Sequence, residues 1–375
     1  MTQYFSGDAT LRRESLKDLL IVRSAYSTPL LSRLPQISVP STISEWGADR
    51  PFTASESVRS ISAPHNATRH EGSDFSYREP FEAIRMRSIA QIDHEGMEMS
   101  NTRRAALIAG QSSPFDYEAG KLGTKLMNRI DNVLHYGQGS PETSGKPTST
   151  NQRQTQGIIQ STAWTGLERC HGTKTTIEDC YGISIPSDMF SVFYDFNHSQ
   201  TITASSFYSS VWGRAYSAGA NFDTGPWTFH VGINAMSAVA RFMVSAGSLA
   251  LNERSTDASS GVGYDYMSTL RLPSGHYVNF MTNRWLDERT STFTVNNTDY
   301  TPGSPTTEGS ISRTFSGDQT MFGMEPGRSR IGWYREPAFR KVETDGDYTR
   351  IAIVAEWMLQ VDSPLCVIGA GNILQ

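Results

Sequence analysis

Asp93, His94, Glu95 and Glu98 stand close together in the run QIDHEGMEM. Carboxylates and an imidazole at such spacing could hold a divalent metal. The simpler reading is a set of exposed charges at the end of a strand. A second candidate is Ser217, in Ala215-Tyr-Ser217-Ala-Gly219. A serine hydrolase presents its nucleophile on a Gly-x-Ser-x-Gly turn between a strand and a helix. Here Ala replaces the first Gly and a helical pattern precedes it, so Ser217 reads as a helix C-terminal residue. No HExxH is present. Residues 139–147, GSPETSGKP, have the wrong spacing and ending for a phosphate loop, and Gly261-Val-Gly263 lacks the third glycine of a dinucleotide fingerprint. Trp333, Tyr334 and Trp357 could stack on bases, but few basic residues lie among them, and core or interface packing is the better reading. Cys170, Cys180 and Cys366 cannot all pair within one chain. The first two show no zinc-ligand spacing, which suits free thiols in a reducing compartment. These residues point away from catalysis, metal binding and any cofactor.

Composition narrows the class further. The net charge of −5 argues against tight gripping of DNA phosphates. Of 33 cationic residues only Lys17, Lys121, Lys125, Lys146, Lys174 and Lys341 are lysine. Arginine's fork suits protein interfaces, and codon usage in a GC-rich genome explains the bias equally well. Apolar residues make up 37% and charged residues 19%, both low, with Ser, Thr, Gly and Asn filling the difference. That favours strands, turns and long loops over a helical bundle. The N-terminus shows no secretory h-region. The longest nearly apolar run, 242–251, is too short to cross a bilayer.

The elements follow from periodicity. Residues 8–23 read as a short amphipathic helix capped by Asp8. Residues 28–46, TPLLSRLPQISVPSTISEW, are apolar but broken by Pro29, Pro35 and Pro40. Leu30, Leu31, Leu34, Ile37, Val39, Ile43 and Trp46 all require burial, and the polar stretch that follows offers little to bury them. Residues 42–93 read as a long two-stranded excursion, with Ile84, Met86, Ala90 and Ile92 on one side of its second strand. The best helix spans 113–137. Ser113 can cap it, Pro114 sits at N1, and Phe115, Ala119, Leu122, Leu126, Ile130 and Val133 form its apolar face. Gly137 can close it. Residues 140–156 read as a polar linker. A helix over 203–220 burying Phe207, Val211 and Ala215, a strand over 227–232, and a helix capped by Asn234 mark an α+β domain. Residues 287–320 form a polar insertion, and Tyr348–Val361 carries the strongest strand signal. A broken arm and an unsupported hairpin would expose apolar surface in a monomer. The economical solution is burial against other copies of the chain.

Several strings, in this order, resemble the SU10-type branch of the major capsid proteins of tailed bacteriophages. They are RRESLKDLLIVRSAYSTPLLSRLP at 12–35, TISEWGAD at 42–49, NRIDNVL at 128–134 and TQGII at 155–159. YVNFMTNRWL at 277–286 and IGWYREPAFRKVETDGDYTRIAIVAEWMLQVDSP at 331–364 complete the set. Long insertions near 245–268 and 287–320 depart from the pattern. The resemblance implies an α+β, HK97-like capsid fold. Its parts would be an N-terminal arm (1–40), an extended E-loop (41–93) and a peripheral domain with the spine helix (94–140). A linker (141–157), an axial domain (158–270), returning peripheral strands (271–365) and a C-terminal segment (366–375) would follow. It implies self-assembly as hexamers and pentamers into an icosahedral head around double-stranded DNA, in the host bacterial cytoplasm. Scaffold, portal and cement proteins are the implied partners, with no membrane. Another virion protein, of decoration or tail type, is the first alternative, and a hydrolase using Ser217 the second. The inter-subunit contacts expected are Leu30, Leu31 and Leu34 of the arm, and Glu45, Trp46, Asp49, Arg50, Arg59, Arg69 and Arg78 of the loop, with Glu325 beyond them. Some relatives lock their shells by an isopeptide bond from an E-loop lysine. No lysine occurs between Lys17 and Lys121 here, and a guanidinium is a poor nucleophile, so non-covalent locking is expected.

Overall fold

The computed structural model describes residues 28–48, 84–102, 114–140, 153–159, 192–196, 202–217, 219–245, 269–288, 293–295, 313–342 and 346–373. The helix expected over 8–23, most of the extended loop, Gly261, Gly263, Cys170 and Cys180 lie outside them.

The long helix forms where its periodicity places it. Helix α1 (Pro114–Tyr136) opens on Pro114 with Asp116 in its first turn, and its length is roughly 35 Å. Leu122, Leu126, Ile130 and Leu134 recur every fourth residue and are buried. They share one core with Ile331, Trp333, Ile353, Ala355, Trp357 and Leu359. Those partners come from a four-stranded sheet ordered β1 (Gln36–Ser38), β14 (Ser329–Val342), β15 (Tyr348–Val361), β4 (Gln91–Ser100). The strand expected at the C-terminal end forms over its whole length. Trp333 and Trp357 are buried within this core, whereas Tyr334 is exposed.

The arm is where sequence expectation and structure part. Leu30, Leu31 and Leu34 are buried in that same core, against this chain's own helix. A turn lets the N–H groups of Leu30 and Leu31 donate to one oxygen of Asp131 in α1, at 3.1 and 2.7 Å. The arm then joins the sheet, with β1 parallel to β14 and the Trp333 indole donating to Gln36. The prolines prevent a helix, but turn and strand backbone still seat the leucines. No neighbouring subunit is needed to bury them.

A second, six-stranded sheet is ordered β7 (Val192–Asp195), β16 (Val367–Gly371), β13 (Met321–Met324), β8 (Trp227–Val231), β10 (Tyr277–Thr282), β9 (Thr269–Arg271). On it lies a helical run: α2 (Ala204–Ser206), a π-helical segment (Phe207–Trp212) and α3 (Gly213–Ser217). Thr203 starts the run through a reciprocal capping box with Ser206. Phe207, Val211 and Ala215 are buried as their spacing predicts, and the Phe207 ring meets Phe229 and Phe280 edge-on, each at 5.6 Å. Helix α4 (Ile233–Ser245) begins one residue before the expected cap. Its first N–H donates to Asp287 of α5 (Arg284–Glu288), while Asn234 turns its amide to Asp318.

Two supposed polar spacers contain structure. Their composition hid it, because short strands can bury backbone and small polar groups without an apolar signature. In the stretch read as a linker, β6 (Gln154–Gln156) pairs antiparallel with β5 (Gln138–Ser140), directly after α1. Gly137 is demanded by close approach, since a Cβ there would lie 2.6 Å from the Thr155 carbonyl oxygen. The insertion beginning at 287 has a root ladder of β11 (Phe293–Val295) and β12 (Arg313–Phe315). Phe315 is buried against Phe193, with ring centroids 4.8 Å apart. Late in its course the chain passes directly between the two sheets, from β13 to β14 and back from β15 to β16.

Candidate assembly site at the root of the extended loop

The loop leaves the four-stranded sheet at one residue. β4 pairs with β15 from Tyr348 opposite Ser100 to Trp357 opposite Gln91. At Ala90 the chain turns away, and β3 (Ile84–Ile89) pairs instead with β2 (Ile43–Ala48). That break shifts the side-chain phase. Met86 and Ala90 are buried as expected, but Ile92 is 46% exposed.

Beyond Trp357, the backbone of β15 has lost its β4 partner. Two hydroxyls complete it. Thr155 of β6 accepts from the Leu359 N–H at 3.0 Å, and Ser88 of β3 donates to the Leu359 carbonyl at 2.6 Å. A buried backbone group left unpaired would be costly, so these hydroxyls allow the hairpin to depart without a gap. The Ala90 N–H donates to the Thr42 carbonyl at 2.8 Å. On the other strand, the Trp46 indole donates to the Asp362 carbonyl at 3.0 Å, and the Asp362 carboxylate pairs with Arg330 at 2.6 Å. The hairpin root is thus bonded to the end of β15 from both strands.

A cleft of about 620 Å³ opens beside this root, lined by Trp46, Ala48, Asn221, Arg328 and Asp362 among others. Glu325 borders it but is buried, accepting from Thr224 at 3.1 Å, with Arg328 at 3.6 Å. Burial first, then the Glu325 charge, push the adjacent Cys366 thiol far above its ordinary range.

The expected contact residues therefore divide. Leu30, Leu31, Leu34 and Glu325 are interior to this subunit. Glu45 faces Arg87 across the hairpin at 2.8 Å, with both side chains partly exposed. Trp46 is half-buried and anchors the loop. Asp49, Arg50, Arg59, Arg69 and Arg78 lie outside the described residues.

The supposed metal cluster does not assemble. Strand alternation places Asp93 and Glu95 on the buried face and His94 and Glu98 on the exposed one. Asp93 accepts from the Trp357 indole at 2.7 Å and from Gln91. Glu95 pairs with Lys125 at 3.0 Å and with Arg129, and Glu98 with Arg350 at 2.7 Å. Among the described residues no group of three or more His, Cys, Asp or Glu could hold a metal. Ser217 ends a helix and stands on no strand-to-helix elbow.

Sequence reasoning missed the Ser88–Leu359–Thr155 arrangement, since hydroxyls at strand ends carry no signature. It also missed a buried polar cluster of Asp131, His135, Asn283 and His230. The Asn283 amide donates to His135 at 2.6 Å and to His230 at 3.2 Å.

A spine helix on a four-stranded sheet, a six-stranded second sheet and a loop hairpin departing between them make up the HK97-like phage capsid fold. Residues 1–370 match the family model of the SU10 major capsid protein, and the chain belongs to that family. Solved structures of similar fold include the capsid asymmetric unit of Cyanophage A-1(L), at 11% identity over 98% of each chain and a TM-score of 0.61. The capsid of the native GTA particle shares 9% identity over 99% of each chain, at 0.54. The capsid of Cyanophage P-SCSP1u shares 11% over 99% of this chain and 95% of its own, at 0.52. No curated protein matches significantly. The protein is a structural protein of the phage head shell, located in the virion capsid, and not an enzyme.

Proposed function

We propose that the chain assembles as hexamers and pentamers into an icosahedral head enclosing packaged double-stranded DNA. Assembly takes place in the host bacterial cytoplasm, with scaffold and portal proteins as partners and a cement protein added at the surface. The observation that supports this most is the root of the extended loop. Hydroxyls and an indole bond both of its strands to the sheet, so residues 49–83 depart from a fixed base. Asp49, Arg50, Arg59, Arg69 and Arg78 are then the residues offered to neighbours, with forked guanidinium–carboxylate bonds as the chemistry. Weak single contacts multiplied over a closed symmetric shell suffice for stability. A net charge of −5 suits a lining that does not cling to DNA. The protein expressed alone and with its scaffold, viewed by electron microscopy, is expected to form shells or capsomer rings of five and six subunits. Rings of another order, or dispersed monomers under both conditions, would refute the reading.

A further inference from the structure

Where α1 ends, four buried polar side chains from three elements meet: Asp131 and His135 of α1, His230 of β8, and Asn283 between β10 and α5. Their protonation states are determined by their partners. His135 Nδ1 lies 2.6 Å from the Asp131 carbonyl oxygen, which can only accept, so Nδ1 carries the proton. The Asn283 Oδ1 accepts from the Trp285 N–H at 3.0 Å, which makes its other terminus the amide nitrogen. That nitrogen donates to His135 Nε2 and His230 Nδ1, so both rings must be neutral acceptors. The Asp131 carboxylate, in turn, holds the Leu30 and Leu31 amides of the arm. One continuous set of bonds thus runs from the arm through the spine helix to the six-stranded sheet.

We propose that this cluster is an acid-released latch, coupling the seating of the arm on the spine helix to the attachment of the six-stranded sheet. A proton on either histidine removes an acceptor from Asn283 and places a charge among buried groups. The other charged or titratable groups around it are few. Arg33 of the arm bears on His230 and opposes its charging. Tyr136 of α1 is occupied with the Trp285 carbonyl. Asp287 of α5 faces the α4 N-terminus, and Asp318 is bonded to Asn234 and Ser316.

Burial holds His135 down at about 4; it holds His230, helped by His135 and Arg33, at about 3. Groups depressed in this way favour the closed state above their ordinary value of 6.5, and that advantage is lost as pH falls below it. Burial raises Asp131 to about 7 against the arm's hydrogen bonds, so Asp131 acts in the opposite direction between 3.8 and 7. From pH 6 to 4.5, opening therefore takes up two protons at the histidines and gives up one at Asp131. The opening constant should rise about tenfold per pH unit.

Native-state hydrogen exchange on the full chain as unassembled subunit, corrected for the pH dependence of chemical exchange, tests this. Between pH 6 and 4.5 the Leu31 and Trp285 amides should lose protection about tenfold per pH unit, while those of Ile353 and Trp357 in β15 hold. Unchanged protection at Leu31 and Trp285, or a parallel loss in β15, overturns the latch. Asp131→Asn should steepen the dependence to about a hundredfold per unit, and His230→Gln should abolish it. Should either variant fail to fold, nitrogen-15 spectra of the wild-type histidines decide. His135 protonated on Nδ1 and His230 on Nε2, neither titrating between pH 8 and 5, is the expected result. Ordinary midpoints near 6.5 overturn the proposal.

Discussion

Single residues divide here by what surrounds them, and side-chain type alone is a poor guide. Leu30 is 1% exposed and packed in the core with Leu126 and Ile130. Leu30→Ala should cost about 2–5 kcal/mol of subunit stability, because both transfer free energy and cavity terms apply. Denaturant unfolding of unassembled subunits measures it, and an unchanged midpoint would show that the arm is not core. Glu45 and Arg87 form a closer contact on paper, but at a partly exposed site their pair is worth less than about 1 kcal/mol. Trp46 lies between these cases. Its indole anchors the loop without being fully buried, so Trp46→Ala should weaken assembled shells by about 2 kcal/mol or more per subunit contact. Subunit unfolding should move less, and an equal loss in both would make Trp46 an ordinary core residue.

At the scale of elements, the departure of the hairpin from β15 depends on two hydroxyls. Ser88→Ala leaves the Leu359 carbonyl without its partner, and Thr155→Val does the same to its N–H. Each should cost about 1–3 kcal/mol, the desolvation penalty of a buried unpaired group. Equal stability of the wild type and both variants in urea would remove that role. Helix α1 supplies a contrast between two glycines. A Cβ at Gly120 would meet nothing within 4 Å, so Gly120→Ala should stabilise by about 0.5–1 kcal/mol. Gly137→Ala should destabilise, because β6 crosses too close behind it.

For the whole molecule, what matters is how subunits hold one another. The loop over 41–93 contains no lysine, so no amine is available there for an amide cross-link to a neighbour. Mature particles boiled in denaturant should run as one band near 41.5 kDa. A ladder of multimers that survives reductant would mean that an amine elsewhere in the chain does this chemistry. The direct connections between sheets, β13 to β14 and β15 to β16, also run beside the loop root, where Glu325, Arg328 and Asp362 border one cleft.

Much of this was determined by the sequence alone, wherever the signal is local. Leu122, Leu126 and Ile130 along α1, the strand at Tyr348–Val361 and the Phe207, Val211 and Ala215 face all appear in the structure as read, whereas Leu134 rather than Val133 completes the buried face of α1. Their periods follow from backbone geometry and need no partner. Trp46 was legible as the root of the loop because it closes the apolar stretch 28–46 where a polar one begins. The tertiary structure decided everything that depends on who the partner is. Leu30, Leu31 and Leu34 announce burial, but only the fold shows that α1 supplies it. Ile92 fell on the wrong face because a departure of strands at Ala90 shifts the phase, and no propensity encodes that shift. Gln154–Gln156 and Arg313–Phe315 read as polar spacer because a strand of three residues is too short to show a period. Asp131, His135, His230 and Asn283 are each unremarkable in sequence. Distances of 53 to 148 residues separate His135 and His230 from Asn283, and only folding brings them within hydrogen-bonding reach.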